Sequence, residues 1–413
     1  MNNSWCIVTG YFSLNDKVNK PINFYREKSK FILQVDAPLI FFVDKENYLE
    51  FWKIRKEYNL LHRTLFIINS LQELPYYNYR DKVRENRKSN AWYNTNNRNT
   101  ADYFLLVASK LYFLNESTKM NPFQNTHFIW IDLGIQYLKY MKDGIIEDNL
   151  QHFTDKFKVC YMEYHSEKFI KNYAEFYKMG QRGIAGGILS GSIHYIQIVN
   201  KLFDEKIRYV INNGYGHGEE QILLELEKDN AELFKIYYGT YDSILSNRVY
   251  IQNDVEHILK YFVEKCRYDG NHAYSNESCV RIENSINNDK LSIDSSWYLK
   301  YMDEFFISSW YLGKYKECIK LVEKVQEMII LDDGIRINFI KNIEHYRSNF
   351  DFIEPYLPSK KNIIISDENE LLQYSLEEYR CFIYDNTDNV SNYLLTCNPV
   401  KRPINQNDTR FFQ

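Results

Sequence analysis

The chain is poor in three things that would have pointed elsewhere. Its seven cysteines among 413 residues (Cys6, Cys160, Cys266, Cys279, Cys318, Cys381 and Cys397) are scattered and odd in number, and no Cys-x-x-Cys pair occurs. That excludes a zinc ribbon or a dithiol redox couple and predicts reduced thiols in a cytosolic setting. No charge of one sign dominates: 51 basic residues stand against 55 acidic ones, a net charge of -4. Nothing in that balance makes a footprint for a phosphate backbone, so no nucleic-acid partner is expected. Long apolar runs are missing as well. The first, Trp5 to Val8, falls short of the ~7 to 15 residues of a signal-peptide core and the ~20 of a membrane span. The expectation is a cytoplasmic protein without a membrane span.

What is present suits a folded enzyme. Hydrophobic residues make up 45% and aromatics 16%, with 36 tyrosines, enough for a large core and too much for a disordered chain. A chain of this length is expected to form two domains rather than one.

Short β-type runs alternate with helical ones through the first half. Trp5–Thr9, Leu39–Val43 and Leu65–Asn69 read as buried parallel strands, with helices over 20–30 and 46–58 between them. Strand, helix, strand is the βαβ signature. A polar stretch at 78–99, rich in Arg and Asn, reads as a loop over the crevice, followed by an amphipathic helix from Thr100 to Leu114. The apolar run His127-Phe-Ile-Trp-Ile-Asp132-Leu-Gly134 then ends on an acid. Strands are further expected at 158–162 and 234–238, and helices at 192–202 and 219–228. From Asp254 the pattern becomes helical, over 255–267, 297–312, 315–330 and 335–346. Gly313-Lys-Tyr315-Lys-Glu317-Cys318-Ile319 resembles the second half of a tetratricopeptide hairpin, with Trp297–Tyr311 as its first helix. One copy is a weak signal, since such arrays need about three units. The expected organisation is an α/β domain over 1–250, a helical, tetratricopeptide-like region over 251–358 and a C-terminal extension over 359–413 with no assigned structure.

Three constellations carry possible chemistry. Asp132 at a strand end, with Gly134 to let the backbone turn, is placed to hold Mg²⁺ or Mn²⁺ and through it a diphosphate. The alternative is a plain Asx turn. In Gly183-Ile-Ala-Gly186-Gly187-Ile-Leu-Ser190-Gly191-Ser192, the glycines let a ligand approach the backbone, and the N–H groups of Ser190 to Ser192 at a helix start offer a phosphate cradle. The alternative is tight strand–helix packing. In Gly214-Tyr-Gly216-His217-Gly218-Glu219-Glu220-Gln221, Glu219 shares a helix face with Ile222, Leu223 and Leu226 and points inward to a site. Glu220 lies about 100° round the helix. Acids at a helix start are also favoured by the macrodipole alone. His217 is a candidate metal or phosphate ligand or a turn residue, and Asp242 a second acid or a cap.

These segments together resemble the HtrL/YibB-like family, taken to be glycosyltransferases of the GT-A fold. The resemblance runs from about Trp5 to Ser246. Its carriers are Ile7-Val-Thr9-Gly-Tyr-Phe12, Phe41-Phe-Val-Asp44, Asn99-Thr100-Ala-Asp102-Tyr-Phe-Leu-Leu-Val-Ala-Ser-Lys110 and, most specific, Phe128-Ile-Trp130-Ile-Asp132-Leu-Gly134. It implies a GT-A-like, Rossmann-type mixed sheet flanked by helices and followed by a smaller all-α domain. It also implies a nucleotide-sugar donor, UDP-sugar foremost, held by Thr9, Gly10, Tyr11, Asp44, Lys110, Asp132 and Gly134. Gly186, Gly187 and His217 would then face a glycan or protein acceptor, Glu219 and Glu220 would be catalytic, and Asp132 with Asp242 would hold Mn²⁺ or Mg²⁺. The chain departs from the common Asp-x-Asp form, since Gly134 sits where the second acid would be. Two alternatives stand beside this expectation: a non-catalytic scaffold of the same fold that recruits a protein partner through its helical region, and a nucleotidyltransferase, whose N-terminal glycine-rich phosphate loop is absent.

Overall fold

The computed structural model describes residues 4–14, 22–88, 100–178, 180–215 and 218–314, with the isolated positions 317, 320, 321 and 324. The chain divides into two compact units, Met1–Ile293 and Asp294–Gln413.

Seven short runs rich in Ile, Val, Phe and Tyr form the sheet of the first unit: β1 (Trp5–Tyr11), β2 (Leu39–Val43), β3 (Thr64–Ile68), β4 (His127–Ile131), β5 (Phe157–Tyr161), β6 (Ile184–Ser192) and β7 (Phe234–Tyr238). Their spatial order is β3-β2-β1-β4-β6-β5-β7. β1, β2, β3 and β4 are mutually parallel, as are β5 and β7, while β6 runs against both β4 and β5. β2 and β4 are buried at every residue, which explains their continuous apolar sequences, whereas β3 at the edge is only half-buried.

Helices cover both faces. α1 (Ile22–Leu33), α2 (Tyr48–Glu57), α3 (Arg80–Lys88), α4 (Ala101–Ala108), α5 (Lys110–Met120), α6 (Ile145–Asn149), α7 (Glu167–Lys171), α8 (Tyr173–Phe176), α9 (Ile193–Asn212) and α10 (Glu219–Asp229) are interleaved with the strands. α11 (Val255–Ile258), a π-helical turn (Leu259–Val263), α12 (Glu264–Tyr268) and α13 (His272–Asn287) follow β7. One core unites Ile7, Phe41, Val43, Ile129, Ile131 and Ile188 with Phe31 and Phe51 from α1 and α2. On the opposite face Phe113 of α5 stacks on Trp130 at 5.8 Å and meets Phe42 at 4.5 Å. Arg55 of α2, fully buried, ties α1 to this layer: its guanidinium donates to the carbonyls of Leu33, Val35 and Ala37 at 2.7–2.8 Å and its Nε to Thr64 Oγ1 at 2.7 Å.

Several expectations are corrected here. The stretch from Arg80 is not a loop: it forms α3, held by Arg80 on Asp102 and by Asn86 Nδ2 donating to the carbonyls of Ile211 and Tyr215 at 2.8 and 2.9 Å. Residues 89–99 lie outside the described residues. The helix from Thr100 is two, α4 and α5, meeting at Ser109, whose hydroxyl donates back to Leu105 O at 2.7 Å. α13 falls within the region expected to be helical, but between the helices placed there. Its buried face is Ser275, Asn276, Ser278, Cys279, Ile282 and Ser285, so no apolar stripe marks it.

In the second unit α14 (Ser295–Tyr311) starts at Asp294, whose carboxylate accepts from the N–H groups of Ser296 and Trp297 at 3.0 and 3.1 Å. The rest of the tetratricopeptide-like hairpin, the helices expected over 315–330 and 335–346, and the extension at 359–413 lie outside the described residues, apart from isolated positions. No helix among the described residues is long and apolar enough to cross a membrane.

Candidate functional site

The site forms where the chain leaves β4. Side chains two residues apart share a face of extended chain, so Trp130 and Asp132 come together, and the indole Nε1 donates to Asp132 Oδ1 at 2.6 Å. The ring has room because Gly10 carries no side chain: a Cβ there would stand 3.4 Å from the indole and 3.1 Å from Phe42 O. The backbone N–H of Asp132 donates to Gly187 O at 3.0 Å, which fixes β6 beside it.

Lys110, the first residue of α5, reaches into this corner with its ammonium 3.0 Å from Asp132 Oδ1, 2.9 Å from Glu219 Oε1 and 3.0 Å from Gly186 O. All three N–H donors are thereby engaged. Burial works against the charge, yet the two carboxylates outweigh it and hold the ammonium above the usual lysine range. The side chains of Lys110 and Glu219 are 8% and 6% exposed, whereas that of Asp132 is 42% exposed. Asp132 is therefore the acid that solvent and ligands meet, with Oδ1 oriented by Trp130 and Oδ2 accepting from Lys110 at 3.2 Å.

Glu220, next on α10, accepts from the N–H of Gly186 at 3.0 Å and from the Tyr241 hydroxyl. Burial first, and the charge of Glu219 second, push its carboxyl up to about 7. Tyr103 of α4 and Tyr241 flank the acids, with 40% and 37% of their surfaces exposed. Both phenols are held above the ordinary range, by burial and then by nearby charges that include Glu219 and Glu220. Tyr25 of α1 completes one wall; burial, then the charges of Tyr11 and Asp132, raise it to about 12.

The structure brings together Lys110, Asp132, Gly186, Gly187, Glu219 and Glu220. Thr9 is fully buried, its hydroxyl donating to Ile131 O at 2.7 Å, so it straps β1 to β4 and presents nothing to a ligand. Tyr11 is buried against Tyr25 and Phe51. Asp44 accepts from Ser13 N at 2.6 Å and Asn47 N at 2.9 Å, pinning the turn after β1 to the start of α2. Gly134 does not make a conformation special to glycine, since its φ is -91°. Asp242 accepts from Lys139 N at 3.1 Å, and among the described residues no group of three or more His, Cys, Asp or Glu side chains assembles around a metal position. His217 lies outside the described residues.

The glycine-rich segment is β6 itself, and its Ser190 to Ser192 end points away from Asp132, so the expected phosphate cradle does not form there. Ser192 N donates to Asp155 O and Ile193 N to Thr126 O. The packing alternative holds at Gly183, where a Cβ would come 2.5 Å from Leu224 Cδ2. At Gly186 the neighbour is functional: a Cβ would lie 2.9 Å from Glu219 Cδ and collide with its carboxylate. Gly186→Ala is therefore expected to cost about 1–3 kcal/mol, as overpacking does. Gly187→Ala, whose Cβ would make ordinary contacts at 3.5 Å with Ile244 and 3.7 Å with Asp132, is expected to stay within about 0.5 kcal/mol of the parent. Urea unfolding of the two variants side by side checks this; equal midpoints would mean that Glu219 is not where the geometry puts it.

Sequence reasoning missed Trp130, Tyr103, Tyr241 and Tyr25 as parts of the site. The two-residue spacing of Trp130 and Asp132 was the available signal. The tyrosines had none, among 36 in the chain.

A search of the curated proteins found no match. Among solved structures, the 4-diphosphocytidyl-2C-methyl-D-erythritol synthase of Anaerococcus prevotii is similar over 62% of this chain and 93% of its own, at 9% identity and a TM-score of 0.29. That likeness is too slight to decide fold or activity. The family described as bacterial protein of unknown function (HtrL_YibB) matches residues 3–246, a span that holds all seven strands and every residue of the carboxylate site. The chain belongs to the HtrL_YibB family.

Proposed function

We propose that the protein is a glycosyltransferase that moves a sugar from a nucleotide-diphosphate donor, UDP-sugar foremost, to a hydroxyl of a glycan or protein acceptor in the cytoplasm. The observation that carries this reading is the exposed, oriented carboxylate of Asp132 at the carboxyl end of β4, where open α/β sheets bind ligands, joined through Lys110 to Glu219 and through Gly186 to Glu220.

Asp132 suits a divalent cation through the oxygen not held by Trp130, because Mg²⁺ commonly takes one or two carboxylates and completes its shell with substrate phosphates. The charges of Asp132, Glu219 and Lys110 sum to one negative before Glu220 is counted, which favours a cation over a bare diphosphate. Mn²⁺ or Mg²⁺ bound there would neutralise the departing diphosphate. Glu219 holds Lys110 and Lys110 holds Asp132, so both act as positioning residues. Glu220 removes the proton from the acceptor hydroxyl if the reaction inverts. Tyr103 and Tyr241 offer exposed rings for the acceptor to rest against.

Thermal melts of the purified chain with UDP, GDP, CDP and their sugar conjugates, with and without Mn²⁺, test the reading beside Asp132→Ala. One nucleotide is expected to stabilise the parent by about 2.7 kcal/mol at a hundredfold excess over Kd, only with the metal, and not to stabilise the variant. Melts that no nucleotide moves would make the chain a non-catalytic scaffold.

A further inference from the structure

A second cluster lies toward the other end of the sheet. Lys158 of β5 stands directly opposite Ser190 of β6 on one side and Lys235 of β7 on the other. Register partners project from the same face, so the three side chains form a row across the strands. The guanidinium of Arg248 joins it, Nη2 donating to Ser190 Oγ at 2.9 Å, and Lys158 Nζ lies 5.7 Å from the Tyr237 ring centroid. β5 runs parallel to β4, and Lys158 is its second residue, whereas Asp132 follows the far end of β4. The row is thus distinct from the carboxylate site.

Its composition is unusual in that no acid among the described residues balances it. Among the described residues neither Lys158, Lys235 nor Arg248 has a carboxylate partner. The charges felt by Lys158 are those of Arg248, Arg281 and Lys235, all positive; burial first and these second push it down to about 6. Arg248 is 1% exposed; its Nη1 donates to Asn149 O at 3.2 Å, but its Nε has no partner among the described residues. Arg55 shows the contrast, since it is equally buried but has all three nitrogens engaged, on carbonyls and a hydroxyl. Like charges directly opposite in a sheet repel, and buried cations without a counter-charge are costly. Both costs vanish when an anion sits on the row.

We propose that Arg248, Ser190, Lys158 and Lys235 form a second binding site that takes a phosphate-class oxyanion, either the free ion or the phosphoryl group of a small metabolite. Lys235, exposed, and Lys158, partly exposed, receive the ligand, while the fully buried Ser190 and Arg248 stand behind them.

The test is calorimetric titration of the full chain with inorganic phosphate, and in a second arm with glycerol phosphate, at constant ionic strength set by chloride. Saturable binding is expected in the parent and in Asp132→Ala, weakened about tenfold or more in Lys158→Met and in Lys235→Gln by loss of a charge-assisted hydrogen bond. Tighter binding in the second arm than in the first assigns the site to phosphoryl esters. Absence of saturable binding in both arms overturns the proposal. So does unchanged affinity in Lys235→Gln, a surface change that leaves the core intact even if Lys158→Met fails to fold.

Discussion

Lys110→Met lowers the stability of the first unit by about 3 kcal/mol, the lower end of the ~3–5 kcal/mol that follows when one member of a buried ion pair is removed. The lower end applies because Asp132 is 42% exposed and rehydrates, whereas Glu219 at 6% does not. For a domain of this size that is a fall in Tm of roughly 6–12 °C. The ammonium is held above its ordinary range, so its contribution is fully present below the unfolded value of about 10.4 and is lost only as pH rises through the folded one. The loss in the variant is therefore uniform across neutral pH. Adding Glu219→Gln to Lys110→Met removes the stranded carboxylate and restores part of the stability, with a coupling of about 1 kcal/mol or more. Denaturant unfolding of the four proteins of that cycle decides it. Strictly additive effects would mean that the two side chains do not form the pair the geometry shows.

Glu220→Gln lowers the transfer rate by about 10²–10⁴, the usual contribution of a positioned base, while leaving donor binding within a factor of about two, since Asp132 and Lys110 are untouched. The pH profile separates this from a structural effect. The carboxyl, raised to about 7 by burial and by Glu219, acts as a base only when ionised, so kcat/KM in the parent rises with pH and levels off above about 7. Its effect on folding has the opposite sense: a carboxyl whose folded value exceeds the unfolded ~4.3 stabilises at low pH, and that stability is lost as pH climbs toward 7. Tyr241→Phe removes a hydrogen bond that favours the ionised form, and the rising limb moves to higher pH. A limb that stays in Glu220→Gln would assign the base to another group.

The carriers of the fold were legible because their physics is local. β2 and β4 are buried on both faces, and that alone requires the unbroken apolar runs Leu39–Val43 and Phe128–Ile131. Asp132 stood out for the same reason, as the first charge after such a run. The direction of β6 was not legible, because Ile184–Ser192 with its glycines and serines carries the mark of a loop as much as of a strand. Nor were the bounds of α13, whose buried face is mostly serines, an asparagine and a cysteine, with Ser278 and Ser285 donating to carbonyls one turn back instead of forming an apolar stripe.

The sequence by itself determined an α/β sheet with helices on its faces, the strand end at Asp132 and the inward turn of Glu219, since periodicity and burial of apolar side chains are properties of adjacent residues. Only the tertiary structure decided that Lys110 closes an ion pair on both acids, that Gly186 is small to admit Glu219, and that Lys158, Lys235 and Arg248 cluster with no carboxylate partner among the described residues. Those relations join elements far apart in the chain, and their energies depend on distance and exclusion of water, which no run of neighbouring residues records.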